Sequence, residues 1–156
     1  MDSLDQNRLT NLLQNKSDKS DKSYRYFNAL KNVVGLSIEN VEKGVKLSNE
    51  GIKLYNQNQL KQAALKFEEA AEYIPNELSY YENAANCYMK LGNNLKGIEI
   101  LENTLLKLNP DSGKTEYLLT IMYVDEGQSE KGCEYLQISK NKGFNVPDIV
   151  SRSLCN

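Results

Sequence analysis

The chain has 156 residues, with 19 Lys or Arg against 21 Asp or Glu, a formal charge of −2, no His, no Trp and three Cys. Without an imidazole there is no His nucleophile, general base or metal ligand, which excludes most hydrolase triads and ordinary catalytic zinc sites. The length predicts one domain. Counting Gly in place of Tyr leaves an apolar fraction of about 39%, below the ~45–50% of an average globular chain, and so thin a core suits stacked helical units better than a spherical fold.

Near-neutral charge supplies no long-range field for phosphate backbones, so nucleic acid is not an expected partner. Lys16, Lys19, Lys22, Arg25 and Lys31 make the N-terminal part mildly basic, but Asp18 and Asp21 interrupt it and a solvated linker is the expected reading. No apolar run approaches the roughly 20 residues that span a bilayer, so membrane insertion is not expected. The opening MDSLDQNRLTNLLQNKSDKS has neither an apolar core nor a small-residue cleavage site, and a soluble chain is expected. The cytoplasm is then the default compartment, and a signal removed from the start would instead place the chain outside it.

Residues 1–23 form a polar N-terminal segment. Leu4, Leu9, Leu12 and Leu13 support at most a short amphipathic helix, and the Lys-Ser-Asp triplets of 16–23 read as a flexible linker. The folded domain is expected over 24–156. Phe27, Leu30 and Val34 are helically spaced, with Ser23 as N-cap and Gly35 as C-cap, which predicts an extra helix over 24–34. Ser37 offers a second N-cap, and Ile38, Val41 and Val45 restart the period into a long helix reaching about Gln57.

From here the chain matches itself. A shift of 34 carries Gly51 to Ala85, Leu54 to Tyr88, Ala63 to Gly97 and Phe67 to Leu101; a shift of 35 then reaches Thr120, Tyr123, Gly132 and Leu136. The extra residue is expected in the turn cluster between Leu108 and Ser112. Each unit breaks at Asn58-Gln59, Gly92-Asn93 or Gly127-Gln128, giving three helical hairpins. Antiparallel helices approach closely only where a side chain is nearly absent, so Gly51, Ala85 and Thr120 are expected to meet Ala63, Gly97 and Gly132.

With these residues in view the sequence resembles the tetratricopeptide repeat family. The first unit carries Leu47, Gly51, Leu54, Ala63, Phe67, Ala70 and Pro75 at the family spacing, departing at Glu50. The second carries Tyr81, Ala84, Ala85, Tyr88, Gly92, Gly97, Leu101 and Pro110, that Pro one place late. The third keeps Leu119, Tyr123, Gly127, Gly132 and Leu136, but Glu116 replaces the opening aromatic and no Pro closes it. The likeness covers about Val45 to Gly143, roughly two thirds of the chain. It implies an all-α, right-handed α-solenoid with repeats over about 44–77, 78–112 and 113–144. Gly143, Pro147, Val146, Ile149, Val150 and Leu154 suit a capping helix over about 146–154 that covers the open end.

The resemblance further implies a concave groove that binds a peptide or helix of another protein. Its groove-facing places fall on Asn49, Ile52, Tyr55 and Asn56, then Asn83, Asn86, Met89 and Lys90, then Tyr117, Ile121, Val124 and Asp125. Asn can pair with both the N–H and the C=O of an extended backbone, and Tyr supplies apolar area at small entropic cost. Each residue taken singly also reads as the polar face of a solvated helix. The carboxylate clamp of some family members is not expected, because its places carry Ser48, Ile52, Asn83, Lys114 and Leu118, and one Lys without Arg is a poor host for a buried carboxylate.

Cys87 reads as a buried reduced thiol. Cys133 and Cys155 are the candidate disulfide pair, sensible only outside a reducing cytosol; closing that loop would contribute roughly 3 kcal/mol. No phosphate loop, Cys-x-x-Cys or calcium-loop pattern occurs, and the acids Glu68, Glu69, Glu99 and Glu102 read as solvated charge on second helices. The expectation is therefore a scaffold that binds protein, with no catalytic residue, metal or cofactor. The alternative is a self-association module forming a homo-oligomer through the N-terminal helix or a solenoid end.

Overall fold

The computed structural model describes Leu36 and residues 38–147. The described residues form six helices and no strand: α1 Ile38–Asn56, α2 Leu60–Tyr73, α3 Leu78–Lys90, α4 Asn94–Leu108, α5 Lys114–Asp125 and α6 Ser129–Asn141. The expected helix over 24–34 lies outside the described residues, as does the capping helix beyond Pro147. Val146 and Pro147 themselves are not helical. Among the described residues no helix is long and apolar enough to cross a membrane.

Each helix shows the reason for its formation in its buried stripe. On α1, Val41, Gly44, Ser48 and Gly51 are buried at intervals of three and four, while Glu42, Lys43, Lys46 and Asn49 are exposed. On α2 the stripe is Ala63, Ala64, Phe67, Ala70 and Ala71. The stripes stop where the chain turns left-handed. Asn58, Gly92 and Gly127 adopt φ of 59°, 71° and 74°, and in each case the next residue's N–H returns to a carbonyl five residues back: Gln59 to Leu54, Asn93 to Tyr88, Gln128 to Tyr123. This is the helix-ending geometry that Gly adopts without steric cost and Asn tolerates. Gly143, at φ 79°, ends α6 the same way, with Phe144 N–H on Ser139.

Connections alternate in length. Those at 57–59, 91–93 and 126–128 are equal, whereas 109–113 between α4 and α5 is one residue longer than 74–77 between α2 and α3. The shift from 34 to 35 is absorbed there, with Asn109 and Gly113 both at positive φ.

Each helix packs chiefly on its sequence neighbours, and α3 also touches α5. The core accordingly runs along the chain in overlapping clusters. Val41, Ala70, Ala71, Ile74 and Tyr80 join α1 to α3; Ala63, Ala64, Phe67, Ala84 and Cys87 follow; Ala85, Ile98, Leu101, Leu119, Met122 and Tyr123 complete the series. The small residues sit at the closest approaches. A Cβ on Gly97 would stand 3.3 Å from the Ala85 carbonyl oxygen and 2.8 Å from Met122 Sδ; one on Gly132 would stand 3.2 Å from the Thr120 oxygen and 2.8 Å from Val124 Cγ2. Gly51 instead lies against the Phe67 ring, where a Cβ would be 2.9 Å from Cε1.

Candidate functional site

Helices α1 and α3 carry the first two sets of expected groove residues, and none of these is buried: Asn49, Ile52, Asn56 and Lys90 are exposed, while Tyr55, Asn83, Asn86 and Met89 are half-buried. Four of them meet. Ile52, Tyr55, Asn83 and Asn86 line a cavity of about 150 Å³ with Phe67 of α2. Gly51 makes this possible: lacking a Cβ, it lets the Phe67 ring pass beneath α1 and reach the seam with α3. Asn86 Nδ2 donates to Tyr55 Oη at 3.2 Å, tying α3 to α1, and Lys90 Nζ stands 5.2 Å from the centre of the Tyr55 ring, within cation–π range.

On α5, Tyr117, Ile121 and Val124 are half-buried and Asp125 is exposed. Tyr117 packs its ring 5.1 Å from that of Phe144, and Val124 fills the space above Gly132. Met89 packs on the cluster containing Ala85, Leu119 and Met122. Asn49, Asn56, Ile121 and Asp125 do not line the cavity.

Two places of the carboxylate clamp, Ser48 and Lys114, are committed elsewhere. Ser48 is buried, and Lys114 pairs at 2.5 Å with Glu82, a carboxylate only 4% exposed that also accepts from Thr115 Oγ1 at 2.9 Å. A lysine already neutralised by a buried acid has little charge left for a ligand carboxylate.

The reading of the second-helix acids as solvated charge needs correction at Glu68 and Glu102, whereas Glu99 is exposed as expected. Glu68 accepts from Tyr88 Oη at 2.5 Å; Glu102 accepts from Tyr123 at 2.5 Å and Tyr135 at 3.0 Å, and pairs with Lys131 at 3.0 Å. Burial, reinforced by these bonds, pushes the phenols of Tyr88 and Tyr135 up to about 12. Burial opposes ionisation of Glu102, but the hydrogen bonds from Tyr123, Lys131 and Tyr135 outweigh it and hold the carboxyl below its ordinary range. The signal was in the repeat: Glu68 and Glu102 are 34 apart, Tyr88 and Tyr123 are 35 apart, so the pair recurs as a pair.

Phe67 was also missed as a surface determinant, because its place in the repeat reads only as volume filling a hole. A second cavity, of about 420 Å³, lies between α2 and α4, lined by Glu72, Tyr81, Lys96, Ile100, Thr104 and Lys107 among others; it shares no residue with the first.

Cys87 is a buried free thiol whose pKa burial raises to about 11, which makes it inert at neutral pH. Cys133 is half-buried on α6, and Cys155 lies outside the described residues. Intact mass with and without reductant tests their pairing. Among the described residues no group of three or more His, Cys, Asp or Glu is placed to hold a metal ion. No protein-family model matches the chain, and no curated protein matches it either.

Proposed function

We propose that the protein is a scaffold of the tetratricopeptide type, three helical hairpins stacked in a right-handed solenoid, that binds a segment of another protein along the face formed by α1, α3 and α5. The observation that carries this reading is the convergence of Ile52, Tyr55, Asn83 and Asn86, residues from two non-consecutive helices, on one cavity floored by Phe67. Amide and phenol groups around an apolar floor suit an extended backbone, whose N–H and C=O need partners while its side chains seek apolar cover. The mechanism is preorganisation. The cavity walls are set by helix packing, so less ordering cost opposes association. Binding rather than catalysis is the reading, and no cofactor enters it.

The test is selection of short random-sequence peptides on the immobilised full chain, followed by mapping of amide chemical-shift changes. Changes centred on the exposed residues of α1, α3 and α5 are expected. Changes centred on the cavity between α2 and α4 would move the site off this face.

A self-association reading has its own support in exposed leucines of α2 and α4. Leu106 is 86% exposed, Leu95 63% and Leu65 54%, with Leu95 and Leu106 three turns apart on one face of α4. Sedimentation across a concentration series distinguishes this reading, which requires mass to rise with concentration.

A further inference from the structure

We infer, resting on the groove reading above, that the cavity between α1 and α3 receives one uncharged apolar side chain, of leucine to phenylalanine size, from an extended partner segment that carries an acidic residue beside it. Three observations define this occupant. The first is size. A cavity of about 150 Å³ with an apolar wall and floor has room for one benzene-sized group, so an indole or two adjacent large side chains exceed it.

The second is polarity. Ile52 and the Phe67 ring give an apolar wall and floor, and the polar groups at the margin are the amides of Asn83 and Asn86 and the phenol of Tyr55. No charged side chain lines the cavity, so a buried lysine or carboxylate from the partner would find no counter-charge to offset its desolvation. Asn86 spends one N–H on Tyr55 Oη and keeps its Oδ1, and Asn83 stands beside it with a whole amide, so the two can pair with the partner backbone on either side of the anchoring residue.

The third is charge. Lys90 stands over the Tyr55 ring at the cavity's edge, and among the described residues no carboxylate lies within ion-pair distance of it. It is exposed, so an acid next to the anchor gains a modest, salt-sensitive attraction.

The experiment uses the full chain, isotope-labelled, and three probes: N-acetyl-leucinamide, N-acetyl-alaninamide and N-acetyl-tryptophanamide. Leucinamide is expected to shift the side-chain amide signals of Asn83 and Asn86, alaninamide to bind about tenfold more weakly, and tryptophanamide to leave them unmoved. Equal responses to the leucine and tryptophan probes, or no response to leucinamide, would overturn the inference. The variant Ile52→Phe places a ring of the size the cavity accepts over it from a 38% exposed position and should abolish the leucinamide response while keeping the wild-type melting curve. A surviving response overturns the inference.

An N-acetyl dipeptide amide pairing Leu with Asp should bind about two- to fivefold more tightly than one pairing Leu with Lys, and Lys90→Gln should erase the difference. No difference in wild type removes the acidic neighbour from the proposal. Peptides selected on the chain separate this inference from the reading beneath it. Loss of binding to the Asn83/Asn86/Tyr117 triple Ala variant with full binding to Ile52→Phe overturns the cavity and leaves the groove; undiminished binding to both removes both.

Discussion

Tyr88 on α3 donates its phenolic proton to Glu68 on α2 across 2.5 Å, and Tyr123 on α5 repeats the bond to Glu102 on α4 at the same distance. Each bond spans the seam between one pair of helices and the next, so it fixes how α3 and α5 are presented on the candidate binding face. A hydrogen bond to an ionised acceptor contributes about 1.5–3 kcal/mol, more than a neutral one. Glu68 is half-buried, which places the Tyr88 bond toward the lower end. Tyr88→Phe should therefore cost about 1.5 kcal/mol in urea unfolding, and Tyr123→Phe about 2 kcal/mol, since Tyr123 is only 3% exposed. A double-mutant cycle of Tyr88→Phe with Glu68→Ala checks the pairing; a coupling energy near zero would show that the two side chains do not interact in solution.

These bonds also set the response to pH. The phenols of Tyr88 and Tyr135 are raised to about 12, so their contribution to stability is complete below about pH 10 and is lost as pH climbs through the folded values. Glu102 is shifted the other way. Its contribution is present above the unfolded carboxylate range, near pH 4.3 or so, and is lost as pH falls through its lowered folded value. Chemical unfolding measured at steps of pH should fall off at both ends, and Glu102→Gln should flatten the acid limb. An unchanged acid limb in that variant would remove Glu102 from the account.

Gly132 lies so close to the Thr120 carbonyl and to Val124 that a side chain there has nowhere to go. Overpacking costs about 1–3 kcal/mol, and Gly132→Leu should lower the melting temperature by roughly 4 °C or more. Unchanged melting would mean that the register between α5 and α6 is wrong.

A carboxylate is buried near the start of α5. Glu116 is 2% exposed, pairs with Lys142, and its Oε2 has no hydrogen-bond partner among the described residues. Lys142→Met strands that carboxylate and should cost about 3 kcal/mol, whereas Glu116→Leu combined with Lys142→Met should recover most of the loss. Thermal melts of the two variants decide it; equal destabilisation would mean that Lys142 acts instead through its bond to the Pro110 carbonyl.

How much of this was legible in the chain divides along physical lines. Helix limits were readable at Asn58, Gly92 and Gly127, because a left-handed residue is a local requirement that Gly and Asn announce. The one-residue difference at 109–113 followed from self-comparison, since an insertion must fall where no helix register is disturbed. What periodicity could not supply is which polar groups find each other across a seam. Glu68, Glu82 and Glu102 all sit at positions where a solvated acid is the ordinary expectation, and only three-dimensional placement pairs them with Tyr88, Lys114 and Tyr123. The cavity was half legible: Ile52, Tyr55, Asn83 and Asn86 were anticipated, whereas its Phe67 floor depends on the missing Cβ of Gly51.

The most direct measurement is the affinity of peptides selected on the full chain, compared by calorimetric titration between wild type and the Asn83/Asn86/Tyr117 triple Ala variant. Loss of amide pairing and of aromatic area from the face of α3 and α5 should weaken binding by about tenfold or more, with a melting profile unchanged up to the small effects of removing the Tyr117 contact with Phe144 and the Asn86 bond to Tyr55. Equal affinity for the two proteins would contradict the assignment of binding to this face.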